Sequence, residues 1–280
     1  MLEYASGSTR DSKGALLRVT IGAPGPSIYL AKNLPAYQQY GGSNYHVYAN
    51  NIDWNRPVGV VYYLDGDYWY NHQSKVHNPS GNQDLLAMAR VANERNMLFV
   101  PVISPDKNAG GDGITWWQNL DGNGDWFRGF ATWFQSSHSL DRNNVWVMGY
   151  SGGAEMIGFE LNADRQTTWR TGGGSVLVGG GNSNGMQTTP TQAFTALPMD
   201  RYVGERDGVG VSWPLDWSAL GAARSGQSVY ARAGFSATRL TYVSGDHYSY
   251  QFAQLLEQSL DKAQARPSNA YTLIRGTKSR

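Results

Sequence analysis

The pentapeptide Gly149-Tyr150-Ser151-Gly152-Gly153 carries the most specific chemical signal in this sequence of 280 residues. It follows a short apolar run at 144–148 and precedes a stretch with helical spacing. A serine on so sharp a strand-to-helix turn has its Oγ lifted above the sheet edge, and small neighbours are needed where strand and helix approach. The N–H of Gly152 then faces the same space and can hold an oxyanion. A serine hydroxyl is a weak nucleophile at its ordinary pKa, so it needs a base, and the base needs an orienting carboxylate.

Five histidines are available: His46, His72, His77, His138 and His247. Sites built on a serine turn of this kind run in the order serine, acid, histidine, and His247 alone follows Ser151. It stands in Ser244-Gly245-Asp246-His247, between an apolar run and a final helical stretch. His72 and His77 are candidates to line a cleft, and His46 and His138 read as structural. The acid lies among Glu155, Glu160, Asp164, Asp200, Glu205, Asp207, Asp216 and Asp246. Glu155 and Glu160 are expected to point away along the helix after the serine. Asp246 is too close in the chain to reach the far nitrogen of the ring. Asp207, in Gly204-Glu205-Arg206-Asp207-Gly208, is favoured, with Glu205 next and then Asp200 and Asp216. A second oxyanion donor is expected from the backbone N–H of Asp67, where Gly66 lets the chain turn after the run at 58–64.

These residues need a scaffold. Short, nearly continuous apolar runs at 58–64, 97–103 and 144–148 read as strands buried on both faces, and 175–178, 196–203, where Pro198 weakens the signal, and 238–243 as further strands. Helical spacing at 83–95, 126–136, 154–161, 215–226 and 250–265 alternates with them. Strands alternating with helices imply a mostly parallel sheet flanked by helices, an α/β fold. Residues 105–124 read as loop. Strand-like pieces at 16–21 and 45–49 fall in an N-terminal stretch, 1–57, that leads into the core of one domain spanning 1–280. The loop 106–125 should flank the cleft at the same sheet edge as the serine. Trp69, Trp116 and Trp117 are expected to line a substrate groove, with Trp54 a further aromatic candidate.

Composition excludes other chemistries. Zero cysteines remove disulfide frameworks, Cys-ligated zinc, iron–sulfur clusters and thiol nucleophiles together. A net charge of +1 provides no basic field for nucleic acid. The glycine-rich segment 172–185 lacks Gly-Lys-Ser/Thr, so it is no P-loop. Asp121-Gly122-Asn123-Gly124-Asp125 begins like a calcium loop, but Trp126 stands where that loop needs glycine and Thr132 where it needs glutamate. No paired-histidine spacing suggests zinc. Neither a metal nor a cofactor is expected. No apolar run behind a positive start marks a signal peptide, and no stretch approaches the ~20 apolar residues of a membrane span. The chain is expected to be soluble, and its compartment is not readable.

Four stretches together carry a resemblance: 62–69, with Leu64-Asp65-Gly66; the serine pentapeptide; Gly204 to Gly208; and Gly245-Asp246-His247-Tyr248-Ser249-Tyr250. Over roughly 58–262 the chain resembles an esterase branch of the α/β-hydrolases that includes the esterase D type, the antigen 85 mycolyltransferases and enterochelin esterases. The resemblance implies an α/β-hydrolase fold and a cofactor-free serine esterase acting on a small-molecule, glycan or polymeric ester. An acyltransferase to a sugar hydroxyl would use the same residues. A glycan- or surface-binding protein without turnover is the third expectation.

Overall fold

The computed structural model describes residues 9–10, 16–17, 38–76, 82–107 and 113–265. His77 and most of 16–21 lie outside the described residues. The first strands, β1 (Thr9–Arg10) and β2 (Leu16–Leu17), pair antiparallel with each other. The second sheet has eight strands. They are β3 (Gln38–Tyr40), β4 (Ser43–Tyr45), β5 (Gly59–Leu64), β6 (Met97–Val102), β7 (Val145–Tyr150), β8 (Gly174–Val178), β9 (Met199–Gly204) and β10 (Thr238–Val243). Their spatial order is β10-β9-β8-β7-β5-β6-β4-β3. Strands β5 to β10 are mutually parallel, and β4 joins β6 antiparallel.

The central parallel strands β5, β6 and β7 are buried and largely apolar on both sides because helices cover both faces. Alternate residues of β5 divide accordingly. Val60, Tyr62 and Leu64 pack on one side with Phe127, Phe130 and Phe134. Val61 and Tyr63 pack on the other with Leu85, Met88 and Leu256. The first side carries α2 (Leu120–Ser137), α3 (Gly152–Met156) and Tyr230 of α5 (Ala219–Arg232). The second carries α1 (Gln83–Asn93) and α6 (Phe252–Gln264).

The sheet changes direction of growth at β5. The chain moves from β5 outward to β6, then returns to place β7 on the opposite side of β5. Loops after β5 and β7 therefore part at a topological switch point, where open α/β sheets form their crevice.

Several elements differ from the sequence reading. Helix α2 begins at Leu120 and absorbs the glycine-bearing stretch 121–125. Glycine propensity argued for a loop there. However, a Cβ at Gly124 would collide with the Glu160 carboxylate, so close packing requires a glycine on that face. Helix α5 starts at Ala219, later than its spacing suggested, because the Ser218 hydroxyl accepts the Gly221 N–H at 3.0 Å as a cap. A short helix, α4 (Gln192–Thr195), capped by Thr191, had no periodic signal. Strand β9 starts just after Pro198, whose carbonyl accepts the Ser175 N–H. The piece expected at 45–49 is β4 followed by an antiparallel bridge from Tyr48 to Phe99.

Candidate active site

Ser151 follows the last residue of β7 and precedes α3. Its backbone sits at φ 49° and ψ −117°, a left-handed conformation costly for a side-chain-bearing residue. The surrounding glycines are sterically required. A Cβ at Gly149 would collide with the Gly153 carbonyl, one at Gly152 with the Asp67 carboxylate, and one at Gly153 with the Leu64 carbonyl. The turn is therefore wedged between its own helix and the end of β5. Gly152 opens α3, where the first N–H groups have no intrahelical acceptor.

Two further strand ends deliver partners. His247 follows β10, and its Nε2 lies 2.9 Å from Ser151 Oγ. Asp207 follows β9, and its Oδ2 lies 2.8 Å and its Oδ1 3.1 Å from His247 Nδ1. Asp207 is fully buried and His247 nearly so. The structure thus brings Ser151, His247 and Asp207 into one continuous hydrogen-bonded line. The other acids are engaged elsewhere. Asp200 pairs with Arg239, Asp246 accepts from Tyr248 N–H and Ser249 Oγ within its own turn, and Glu205 and Asp216 face solvent.

Two tyrosines hold this line from behind. The Tyr250 hydroxyl donates to Asp207 Oδ2 at 2.6 Å and accepts the Gly204 N–H at 2.9 Å. The Tyr150 hydroxyl donates to the His247 carbonyl at 2.7 Å. Burial, reinforced by neighbouring carboxylates, holds both phenols above their ordinary pKa, so they remain donors.

Gly66 packs directly on Tyr150 and Ser151, which brings Asp67 beside the serine. The Asp67 carboxylate accepts the Trp116 N–H at 2.9 Å and the Thr115 hydroxyl at 3.1 Å. Burial pushes its pKa up to about 7 against those opposing bonds. The loop that carries Asp67 is anchored by buried Asp65, which accepts from Tyr63, Ser74 and the Lys75 N–H.

Two cavities meet at Ser151. One, of about 410 Å³, is bordered by Gly152, Glu155, Phe159, Trp117, Trp217 and Asn182 among others. The other, of about 270 Å³, is bordered by His247, Tyr248, Tyr150, Tyr68 and Trp69. Asp67, Ser151 and Trp213 border both. Depressions of similar size over Tyr48 and Asn93, and over Arg128 and Trp133, hold no paired serine and histidine.

Of the tryptophans expected at a groove, Trp69 and Trp117 border the cavities, but Trp116 does not. Its ring is fully buried in the core, and its backbone N–H anchors Asp67. Adjacent side chains diverge, so burying Trp116 turns Trp117 outward. Trp54 packs on the same core and borders neither cavity. His72 is exposed and stacks on Tyr70. His46 and His138 are buried, each on a backbone carbonyl. Among the described residues no group of three or more His, Asp or Glu side chains is placed to hold a metal ion, and no helix is long and apolar enough to cross a membrane.

No protein-family model matches the sequence, and no curated protein matches it. Solved structures do match by shape. A carboxylesterase from Mesorhizobium loti superposes with a TM-score of 0.57 at 12% identity, over 81% of this chain and 98% of that one. A carboxylesterase from Bacillus cereus gives 0.53 at 14% identity, over 80% and 95%. Esterase PE8 gives 0.54 at 13% identity, over 79% and 99%. The chain has the α/β-hydrolase fold.

Within this fold, sequence reasoning missed several residues at the site. Glu155 was expected to point away. It borders the larger cavity instead, its carboxylate on the Gly181 and Asn182 N–H groups of the turn after β8. Helical spacing could not foresee that turn. Trp213 and Trp217 lay in a stretch read partly as helix, and Tyr250, three residues after His247, gave no sign of its bond to Asp207.

Proposed function

We propose that the protein is a serine-dependent carboxylic ester hydrolase. The observation that carries this reading is the unbroken line from Ser151 Oγ through the His247 ring to Asp207, at 2.9 and 2.8 Å. Ser151 Oγ attacks the ester carbonyl while His247 Nε2 takes its proton. Asp207 holds the Nδ1–H tautomer and stabilises the imidazolium. The carbonyl oxygen becomes an oxyanion, and the N–H groups of Gly152 and Asp67 are the donors assigned to it. Collapse expels the alcohol, which receives the proton from Nε2. Water, deprotonated by the same ring, then cleaves the acyl-enzyme and restores Ser151.

The left-handed backbone at Ser151 supports the reading, since a strained serine at a strand end is what lifts Oγ free of the sheet. The fold matches to proteins named carboxylesterase and esterase agree with it. Transfer to a sugar hydroxyl would use the same residues with a different acceptor. The test is hydrolysis of 4-nitrophenyl esters with and without a sugar acceptor, together with labelling by a fluorophosphonate. Turnover and labelling at Ser151, both lost in Ser151→Ala, are expected. Labelling elsewhere, or turnover that survives the substitution, overturns the reading. Acyl sugar appearing in place of free acid makes the protein a transferase.

A further inference from the structure

The glycine-rich segment has no part in the mechanism above, yet its centre is built with unusual care. Gly179, Gly180 and Gly181 follow β8 with φ of 61°, 154° and 96°, conformations that only glycine adopts readily in succession. Glu155 Oε1 accepts the Gly181 N–H at 3.0 Å, and its Oε2 accepts the Asn182 N–H at 3.1 Å. From the other side, Arg201 Nε donates to the Gly181 carbonyl at 3.0 Å. Glu155 is nine-tenths buried and Arg201 wholly so. Space is closed as well: a Cβ at Gly226 would collide with the Gly181 carbonyl, and one at Gly158 with the Asn182 carbonyl. Burying an acid and a base is costly unless each is well bonded. Here both Glu155 oxygens, and Nε of Arg201, bond the backbone of Gly181 and Asn182, while Arg201 Nη1 donates to Thr238 Oγ1.

What the clamp fixes in the cavity is Asn182. Its Oδ1 accepts the Ser183 N–H at 2.8 Å, which sets the amide plane. Among the described residues Nδ2 has no protein acceptor, and Asn182 lines the larger cavity together with Trp117, Phe159, Trp213 and Trp217. This cavity is bordered by Gly152 but not by His247. The leaving alcohol must lie within reach of Nε2, on the His247 side. The acyl half of the ester therefore enters the larger arm. Flat aromatic walls suit a ring. Among the described residues, Asp67 and Glu155 are the titratable groups on that lining, and no Lys or Arg borders it. An acyl group carrying a second carboxylate would meet only like charge there.

We infer that the clamped turn presents the Asn182 amide nitrogen as the polar reader of the acyl arm, which takes a ring-bearing acyl group with a neutral oxygen acceptor on the ring. The inference rests on the ester-hydrolase reading only for which half of the ester occupies the arm. It is tested with 4-nitrophenyl esters of one leaving group and three acids: 3-phenylpropanoic acid and its 3-methoxy and 4-methoxy derivatives. At least one methoxy ester should exceed the parent by about tenfold in kcat/KM, the worth of roughly one hydrogen bond. Asn182→Leu, and independently Asn182→Asp, should bring that ratio close to one, and Glu155→Ala should reduce it by freeing the turn. In parallel, tryptophan fluorescence of full-length Ser151→Ala reports binding of the corresponding amides, which needs no turnover. A wild-type ratio near one, or a ratio unmoved by both Asn182 substitutions, overturns the inference and leaves the hydrolase reading standing. Amide binding with the methoxy preference but no turnover of any ester overturns the hydrolase reading and supports the arm's assignment.

Discussion

Asp207 has no exposed surface, and its carboxylate is shared between the His247 ring and the Tyr250 hydroxyl. That sharing makes the residues around Ser151 unequal in consequence. Ser151→Ala removes the attacking atom, and hydrolysis should fall by at least about a thousandfold while the melting temperature holds. Asp207→Asn lets the amide favour the wrong imidazole tautomer, with an expected loss of roughly a thousandfold or more in kcat. Glu205→Gln, on a solvent-facing side chain, should change kcat less than about twofold. Tyr250→Phe is the finer measurement. It takes one donor from Asp207 and leaves the buried Gly204 N–H without its acceptor. We expect kcat to fall about tenfold with KM unchanged, since Tyr250 borders neither cavity. A rise in KM at constant kcat would instead place Tyr250 among the groups that bind substrate. That Ser151, His247 and Asp207 lie together was legible because each sits just past a strand-like stretch, and because chain order leaves one histidine after the serine. Tyr250 was not, because its target lies 43 residues away in sequence and nothing in a tyrosine's spelling names its acceptor.

The elements were legible wherever periodicity was undisturbed, as in β5, β6, β7 and β10. They were misread where tertiary contact overrides it. Helix α2 carries two glycines in its first turns, and the contact that requires Gly124, with Glu160, lies in a later element. Glu155, in the single turn of α3, bonds the loop after β8 instead of pointing away from it, a contact with an element 26 residues on that local spacing does not carry. That misreading has a measurable consequence. Burial raises Glu155 from its ordinary 4.5 to about 7, although the Gly181 and Asn182 N–H groups oppose the rise. A carboxyl raised in the folded state contributes its full stability below the unfolded pKa. It loses that contribution as pH rises to the folded value. Between about 4.5 and 7 the folded protein should therefore lose roughly 1.4 kcal/mol per pH unit through this one group. Other carboxylates titrate in the same range, so the readout is a difference. The stability of Glu155→Gln minus that of wild type, from urea unfolding at pH 5, 6, 7 and 8, should climb with pH and level off above about 7. A constant offset would mean that Glu155 is ionised throughout.

At the scale of the molecule, the surplus of glycine and tryptophan, 34 and 10 residues, acquires a location. Glycines line the seams where β5, β7 and β8 end against one another, and four of the most exposed aromatic side chains, Trp69, Trp117, Trp213 and Tyr248, rim the cavities at Ser151. Composition announced the surplus, but only the switch of strand order at β5 shows why it gathers at one edge. Isolated exposed apolar side chains are ordinary, whereas a rim of them around the half-buried Ser151 is what the proposed hydrolase would need for a substrate larger than the cavity. Trp116 belongs to the other category: it is buried with Phe127 and Phe130, and Trp116→Ala should cost about 3–5 kcal/mol of stability, lowering activity on every ester alike. The rim residues should instead act by arm. Trp117 borders only the larger cavity, Trp69 only the smaller, and Trp213 both. With the alcohol held as 4-nitrophenol and the acyl group enlarged from acetyl to 3-phenylpropanoyl, Trp117→Ala should lose selectively on the larger acyl group, and Trp69→Ala should not. With the acyl group held as acetyl and the alcohol enlarged from methanol to a 2-naphthyl or oligosaccharide alcohol, the pattern should reverse. Trp213→Ala should lose on both series, because its ring stands where the arms join. The same loss on both series for Trp69→Ala and Trp117→Ala would mean one undivided groove, and the acyl and alcohol halves would then be set by the oxyanion donors alone.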